Sequence, residues 1–282
     1  MEQPRIVTRD EWVAARKDLL IKEKALTRAH DALSAERRQL PMVRVGKNYE
    51  FDTPAGRKTL SELFDGRSQL MIYHFMMGPD WTEGCASCSF LADHIDGSVV
   101  HLAHRDVTLV AVSRAPLADL EAFRKRMGWR FTWASSFGSE FNYDYGVSFT
   151  AQQLASGRGI YNFDKLRFPL DEAPGLSVFY QPQSGDDAGE VFHTYSTYAR
   201  GGEAVIGAYH YLDFAPKGRD EDGLAFTMSW LRHHDRYDGN YAVDPTRSYE
   251  PPARREPAEP ARREPAAAPC CAAHEQTQPA TS

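Results

Sequence analysis

The pattern of apolar and polar positions opens with one long amphipathic stretch. Thr8 and Glu11 are spaced as a capping box. Trp12, Leu19, Leu26 and Leu33 then recur every seven residues between charged positions, until Leu40-Pro41 stops the run. The spacing predicts a helix over roughly residues 9–38. Lys22 interrupts the inner row and the repeat is short, which favours packing on the main domain or on a second subunit over an extended coiled coil.

Beyond Pro41 the periodicity changes. Val43–Val45 and Tyr49–Phe51 are β-prone, Thr53-Pro54-Ala55-Gly56 reads as a turn, and Leu60–Phe64 as a brief helix. QLMIYHFM, from Gln69, reads as a buried strand, and SFLADHIDGSVVHLAH, after Cys88, as a helix. VTLVAVS, Val107–Ser113, is a second buried strand, Pro116 opens a helix through Met127, and Phe131–Ala134 reads as a strand. Strand, helix, strand, helix predicts a right-handed parallel unit whose ligand edge lies at the C-terminal ends of the strands. Leu176–Gln181 and Glu190–Thr197 form a predicted hairpin, and a last helical region falls within about 203–236.

Three segments follow from these shifts: an N-terminal helical extension over 1–41, an α/β domain over 42–240, and a tail over 241–282. The domain holds an irregular, aromatic-rich insertion at about 137–170, read either as a cover over the substrate or as rings anchoring a long loop. The tail is rich in Pro, Ala, Arg and Glu, repeats ARREPA at Ala253–Ala258 and Ala261–Ala266, and is expected to be disordered. Cys270 and Cys271 fall in it as expected free thiols.

The chemistry concentrates at Gly84-Cys85-Ala86-Ser87-Cys88, between the predicted strand and helix. A helix N-terminus offers unpaired N–H groups and partial positive charge, both of which favour a thiolate. Two intervening residues bring both sulfurs onto one turn, so a bond formed at one can be displaced by the other. Cys85, nearer the helix start, is the expected exposed nucleophile and Cys88 the resolving thiol. Asp80, Glu83 and Asp93 lie near enough in sequence to oppose a thiolate, and Asp93 is also a candidate proton acceptor for Cys88.

Other readings of the same residues stay open. Cys85 and Cys88 with His101 and His104 approach a zinc-site pattern, although the two histidines are too closely spaced, and no metal or cofactor is expected. A peroxide-reducing cysteine is the runner-up: Thr82 stands three residues before Cys85 as in peroxiredoxins, but the proline is at Pro79, one position out of frame. A non-enzymatic binding module using the aromatic insertion is the third alternative.

Composition narrows the classes. The 282 residues carry a net charge of −6, with 42% hydrophobic and 12% aromatic residues, enough for a sizeable core and unsuited to nucleic acid. The start MEQPRIVTRDEW lacks an apolar run, no stretch is long enough to span a bilayer, and four cysteines do not make a secreted framework, so a cytoplasmic protein is expected. The expected partners are a protein or small-molecule disulfide and a second copy bound through the first helix, with neither nucleic acid nor membrane.

LIKEKALTRAHDALSAERRQLPMVRV, YEFDTPAGRKTLSELFDGRSQLMIYHFMMGPDWTEGCASCSFLAD and VFHTYSTYARGGEAVIGAYHYLDFAPKGRDEDG occur here in that order. Together they resemble the family known as domain of unknown function 899, over roughly residues 8–237. The resemblance implies a thioredoxin-like three-layer α/β fold and the activity predicted for the family, dithiol-disulfide oxidoreduction. It places the family's cysteine pair on Cys85 and Cys88, followed by Ser89 and Asp93; Thr82, Trp81 and Asp93 are candidate supporting residues. Thioredoxin itself differs: Ala86-Ser87 replaces Gly-Pro, Trp81 is four residues before the first cysteine, and Gly175 and Leu176 separate Pro174 from the body of the predicted strand.

Overall fold

The computed structural model describes residues 4–157, 159–163, 166–237 and 253–255. Its first helix, α1 (Arg9–Arg37), starts on the expected capping box: Thr8 Oγ1 accepts from the Glu11 amide at 3.3 Å, and Glu11 Oε2 accepts from the Thr8 amide at 2.9 Å. No residue of α1 is buried, and Trp12, Leu19, Leu26 and Leu33 all face solvent, so the expected packing on the main domain does not occur.

β1 (Val43–Arg44), the hairpin β2 (Glu50–Thr53) and β3 (Gly56–Thr59), and a 3₁₀ turn at Glu62–Phe64 lead into β4 (Gln69–His74). After the cysteine motif come α2 (Ala86–Ile95), α3 (Val99–Ala103), β5 (Val107–Ser113), α4 (Leu117–Arg126) and β6 (Thr132–Ser135). The insertion holds α5 (Phe141–Asp144), α6 (Ala151–Ala155), β7 (Ile160–Tyr161) and β8 (Leu166–Arg167). β9 (Gly175–Tyr180), β10 (Phe192–Tyr198) and α7 (Gly207–Leu212) complete the named elements.

Eight strands form one sheet in the order β1-β10-β9-β4-β5-β6-β2-β3. β4, β5 and β6 are parallel, and the antiparallel hairpin β9–β10 lies beside β4. A parallel βαβ unit flanked on its first strand by a later antiparallel hairpin is the thioredoxin-like arrangement. Alternating strand residues feed two cores. Leu70, Ile72, Val110, Val112 and Phe179 meet Phe51, Phe64 and Phe141 on one face, while Tyr73, Ala111 and Trp133 meet Leu91 of α2, Phe123 of α4 and Tyr209 of α7 on the other. Three layers result.

Local departures have tertiary causes. The single helix expected after the motif breaks at Asp96-Gly97-Ser98, because Asp96 Oδ1 turns out to accept from the Arg130 and Phe131 amides, at 2.6 and 3.0 Å. His101 and His104 fall on and just after α3, and no three metal-ligating side chains cluster among the described residues. The helical region expected over 203–236 shrinks to α7 and short turns. There Glu221 Oε1 gathers Tyr209 Oη at 2.8 Å, Trp230 Nε1 at 2.7 Å and the Met228 amide at 3.1 Å, which pulls the chain out of a regular helix.

In the insertion Phe141, Phe149 and Tyr161 are buried and anchor the segment, whereas Phe137 and Phe163 are exposed. Among the described residues no helix is long and apolar enough to cross a membrane. Most of the tail, with Cys270 and Cys271, lies outside the described residues. Ala253–Arg255 is the exception and pairs with the loop after β4.

Candidate active site

The site is built where the parallel strands end. Past β4, the Phe75 amide still reaches the Val112 carbonyl at 3.0 Å, and the Ala115 amide reaches Met77 O at 2.9 Å, so the chain leaves the sheet edge as a held ribbon. It turns back at Gly84, and the Cys85 amide donates to Met76 O at 3.1 Å. A Cβ on Gly84 would lie 2.5 Å from the Phe75 ring and 2.8 Å from that of Phe123, so the turn requires glycine there. Cys85 is the N-cap residue of α2, and its carbonyl accepts the Ser89 amide and the Ser89 hydroxyl, both at 2.9 Å.

Both cysteines are thiols, and both are enclosed, with 3% of Cys85 and 2% of Cys88 exposed. The expected greater exposure of Cys85 is therefore absent: the loop over the motif covers both sulfurs alike. The electrostatic neighbours of the Cys88 thiol are Cys85 and two donors, the Tyr73 hydroxyl and the Met76 backbone amide. Burial, followed by the neighbouring Cys85, pushes the Cys88 thiol well up, against the pull of those two donors. Tyr73 Oη further donates to the Cys88 carbonyl at 3.2 Å. β9 begins at Gly175, one residue earlier than expected, so Pro174 directly precedes the strand, and its carbonyl accepts the Tyr161 hydroxyl.

The three nearby carboxylates are each engaged by other side chains. Asp80 pairs with Arg254 at 2.8 Å. Glu83 lies 2.7 Å from Arg236 and 3.1 Å from Arg126; its partial burial acts upward, but the bond and the charge of Arg236 and the bond from Arg126 hold it below the usual carboxylate range. Asp93 Oδ1 accepts from Trp129 Nε1 at 2.8 Å and meets His234 Nδ1 at 2.7 Å. Asp93 is thus engaged by a tryptophan and a histidine. Thr82 directs both its amide and its hydroxyl to the Ala253 carbonyl, at 2.9 and 3.0 Å. Trp81 is fully buried beneath Arg254.

Long-range partners of the motif carried no local signal in the chain. His233, buried, lies 2.8 Å from the Gly84 carbonyl through Nε2 and 3.1 Å from Arg126 through Nδ1; arginine only donates, so Nδ1 accepts and Nε2–H donates. Glu172, 1% exposed, is gripped by Arg114 Nε at 2.7 Å and Ser148 Oγ at 2.7 Å. Burial pushes its carboxyl up to about 7 even against Arg114. A Cβ on Gly78 would lie 2.9 Å from Trp81 Nε1 and 3.5 Å from Glu172 Cγ, so the loop, Trp81 and Glu172 form one tightly packed layer beside the motif. Two open clefts, of about 780 and 520 Å³, lie away from it, one against the β2–β3 hairpin and the other on α4.

Fold and site together define a thioredoxin-like protein with a dithiol at the N-terminus of its motif helix. The chain belongs to the family described as bacterial protein of unknown function (DUF899), which it matches over residues 1–237. No curated protein matches it. Among solved structures it is similar to peroxidoxin BcpB from Mycobacterium tuberculosis, with 12% identity, a TM-score of 0.40, and coverage of 60% of this chain and 97% of that one. It is also similar to a cysteine-to-serine mutant of PrxQ from Xylella fastidiosa, with 12% identity, a TM-score of 0.39, and coverage of 60% and 94%. A third is the mitochondrial 2-Cys peroxiredoxin of Plasmodium falciparum, with 12% identity, a TM-score of 0.37, and coverage of 61% and 94%. At these scores the likeness says nothing of chemistry.

Proposed function

We propose that the protein is a cytoplasmic thiol-disulfide oxidoreductase that reduces a protein or small-molecule disulfide through Cys85 and Cys88. The observation that carries this reading is the position of Cys85 as the N-cap residue of α2 with Cys88 buried in its first turn, where the two thiols act on each other's ionisation and the Tyr73 hydroxyl and Met76 backbone favour a thiolate on Cys88. Those groups stabilise a thiolate on Cys88 at the moment it is needed. In the reaction the Cys85 thiolate attacks one substrate sulfur, the substrate S–S bond breaks, and one substrate thiolate leaves and takes a proton from water. With Cys85 in a mixed disulfide, the neighbour that opposed ionisation of Cys88 is neutral. Cys88 then loses its proton and attacks the Cys85 sulfur, releasing the second substrate thiolate. The protein ends as a disulfide, having given two electrons, and an external dithiol returns it to the reduced form.

The enclosure of both sulfurs means that a substrate meets them only when the covering loop moves. Trapping tests the reading: Cys88→Ser accumulates mixed disulfides and Cys85→Ser does not. The reverse pattern, or no adduct in either variant, overturns the assignment. Rapid loss of hydrogen peroxide with sulfenylation of Cys85 in Cys88→Ser would instead identify a peroxidase.

A further inference from the structure

Ala253–Arg255 lies against the loop that leads into the cysteine motif, with Arg254 bridged antiparallel to Trp81. The backbone is read at both ends, by the Thr82 amide donating to Ala253 O at 2.9 Å and the Arg255 amide donating to Asp80 O at 2.6 Å. The side chains are read as well. The Arg254 guanidinium stacks over the Trp81 ring, 5.4 Å from its centroid, and binds Asp80 at 2.8 Å and Asp171 at 3.2 Å. Arg255 binds Asp119 at 2.6 Å. The three carboxylates come from the loop after β4, the first turn of α4 and the approach to β9, so the fold gathers them around the Arg254-Arg255 pair. Trp81 Nε1, fully buried, has no hydrogen-bond partner among the described residues.

Bidentate recognition of the Arg254 guanidinium by Asp171 beside an aromatic face is chemistry that lysine or neutral residues do not supply, and the Arg255–Asp119 ion pair adds a second charge contact. We propose that Asp80, Asp119, Asp171 and Trp81 form a docking groove for an extended Ala-Arg-Arg segment, filled by the protein's own Ala253–Arg255, and that its occupancy shields Cys85 and Cys88. In sequence, residues 238–252 separate the segment from Tyr237, and the proposed groove allows exchange with an equivalent segment of the chain. The chain carries one, since Arg262 and Arg263 sit in a second ARREPA. The groove thus recognises an Ala-Arg-Arg segment, in this protein its own Ala253–Arg255. This inference requires only that the thiols be reactive, and it stands whether or not the dithiol turns over a disulfide.

The test uses the full chain with Cys270→Ser and Cys271→Ser, so that a thiol reagent reports only the motif. Arg254→Glu/Arg255→Glu/Arg262→Glu/Arg263→Glu empties the groove of both copies. The emptied protein should bind the peptide acetyl-PARREPA-amide about tenfold more tightly than the parent does, more weakly as salt rises, and should not bind acetyl-PAEEEPA-amide. Iodoacetamide should modify Cys85 and Cys88 about tenfold faster in the emptied protein, and the added arginine peptide should slow it again. Equal binding of both peptides, absence of peptide binding, or an alkylation rate unmoved by emptying and refilling the groove would overturn the proposal. Both peptides are measured on one folded protein, so a folding defect cannot imitate the expected discrimination.

Discussion

His233 donates through Nε2 to the carbonyl of Gly84 at 2.8 Å, so the residue before Cys85 is fastened by a side chain 149 positions further along the chain. The carbonyl has no freedom to turn toward another donor while that contact holds, and Arg126 keeps the imidazole in the required tautomer by donating to Nδ1.

Replacing His233 by Ala removes the clamp and leaves the buried Gly84 carbonyl without its donor. The expected cost is about 1–3 kcal/mol in urea unfolding. Alkylation of Cys85 and Cys88 should accelerate by more than global stability explains, because the motif loop opens locally. If alkylation rises only in proportion to the unfolded fraction, the clamp has no local role.

The first helix predicts the opposite behaviour. Leu26 is 72% exposed, so Leu26→Ala should change stability by less than about 0.5 kcal/mol, whereas Leu120→Ala, at a fully buried position, should cost about 2–5 kcal/mol. Denaturant curves of the two variants check the contrast. A loss of about 2 kcal/mol or more at Leu26 would contradict the exposed placement of this row and point to a second copy covering it.

Local chemistry was the legible part of this chain. The Thr8–Glu11 capping box, the Val107–Ser113 strand and the strand–Cys-X-X-Cys–helix order all follow from neighbours a few residues apart, and all appear where the pattern puts them. β3 was missed because GRKT has no apolar alternation and pairs only through its hairpin with β2. The break at Asp96, the knot around Glu221, and the His233 clamp depend on partners brought together by the fold, and no window of sequence contains both halves. At the candidate site, the position of Cys85 and Cys88 at the start of α2 was legible in their spacing and in the apolar runs on either side. The roles of Thr82 and Trp81 were not, because both face Ala253–Arg255, a piece of a segment whose composition reads as disorder.

The Arg114–Glu172 pair is buried beside the motif loop, and removing one partner strands the other. Measured above about pH 8, where the Glu172 carboxyl raised to about 7 is ionised, Glu172→Gln should destabilise by about 3 kcal/mol, since the Arg114 guanidinium keeps its charge without a counter-ion. Arg114→Met/Glu172→Leu, which removes both charges, should cost clearly less than the sum of the single changes. Additive costs in a double-mutant cycle would show that the two groups act independently.

The last prediction concerns acid. His74 Nε2 lies 2.8 Å from Ser177 Oγ, which lies 2.9 Å from Ser196 Oγ, which lies 2.8 Å from His193 Nε2, joining two histidines through two hydroxyls. Burial, helped by His193, pulls His74 down to about 3, and burial also lowers His193. In the unfolded chain His74 returns to its ordinary value near 6.5, so between those limits the unfolded state binds more protons than the folded one. The stability tied to the neutral ring is complete above about pH 6.5 and is lost as pH falls toward 3, by up to about 1.4 kcal/mol per pH unit. Urea midpoints measured from pH 7 to pH 4 should therefore fall steadily. In His74→Gln, which keeps a polar group near Ser177 but cannot gain the proton, the slope over the same range should be shallower by nearly one proton. An unchanged slope in His74→Gln would mean that the acid sensitivity arises elsewhere in the chain.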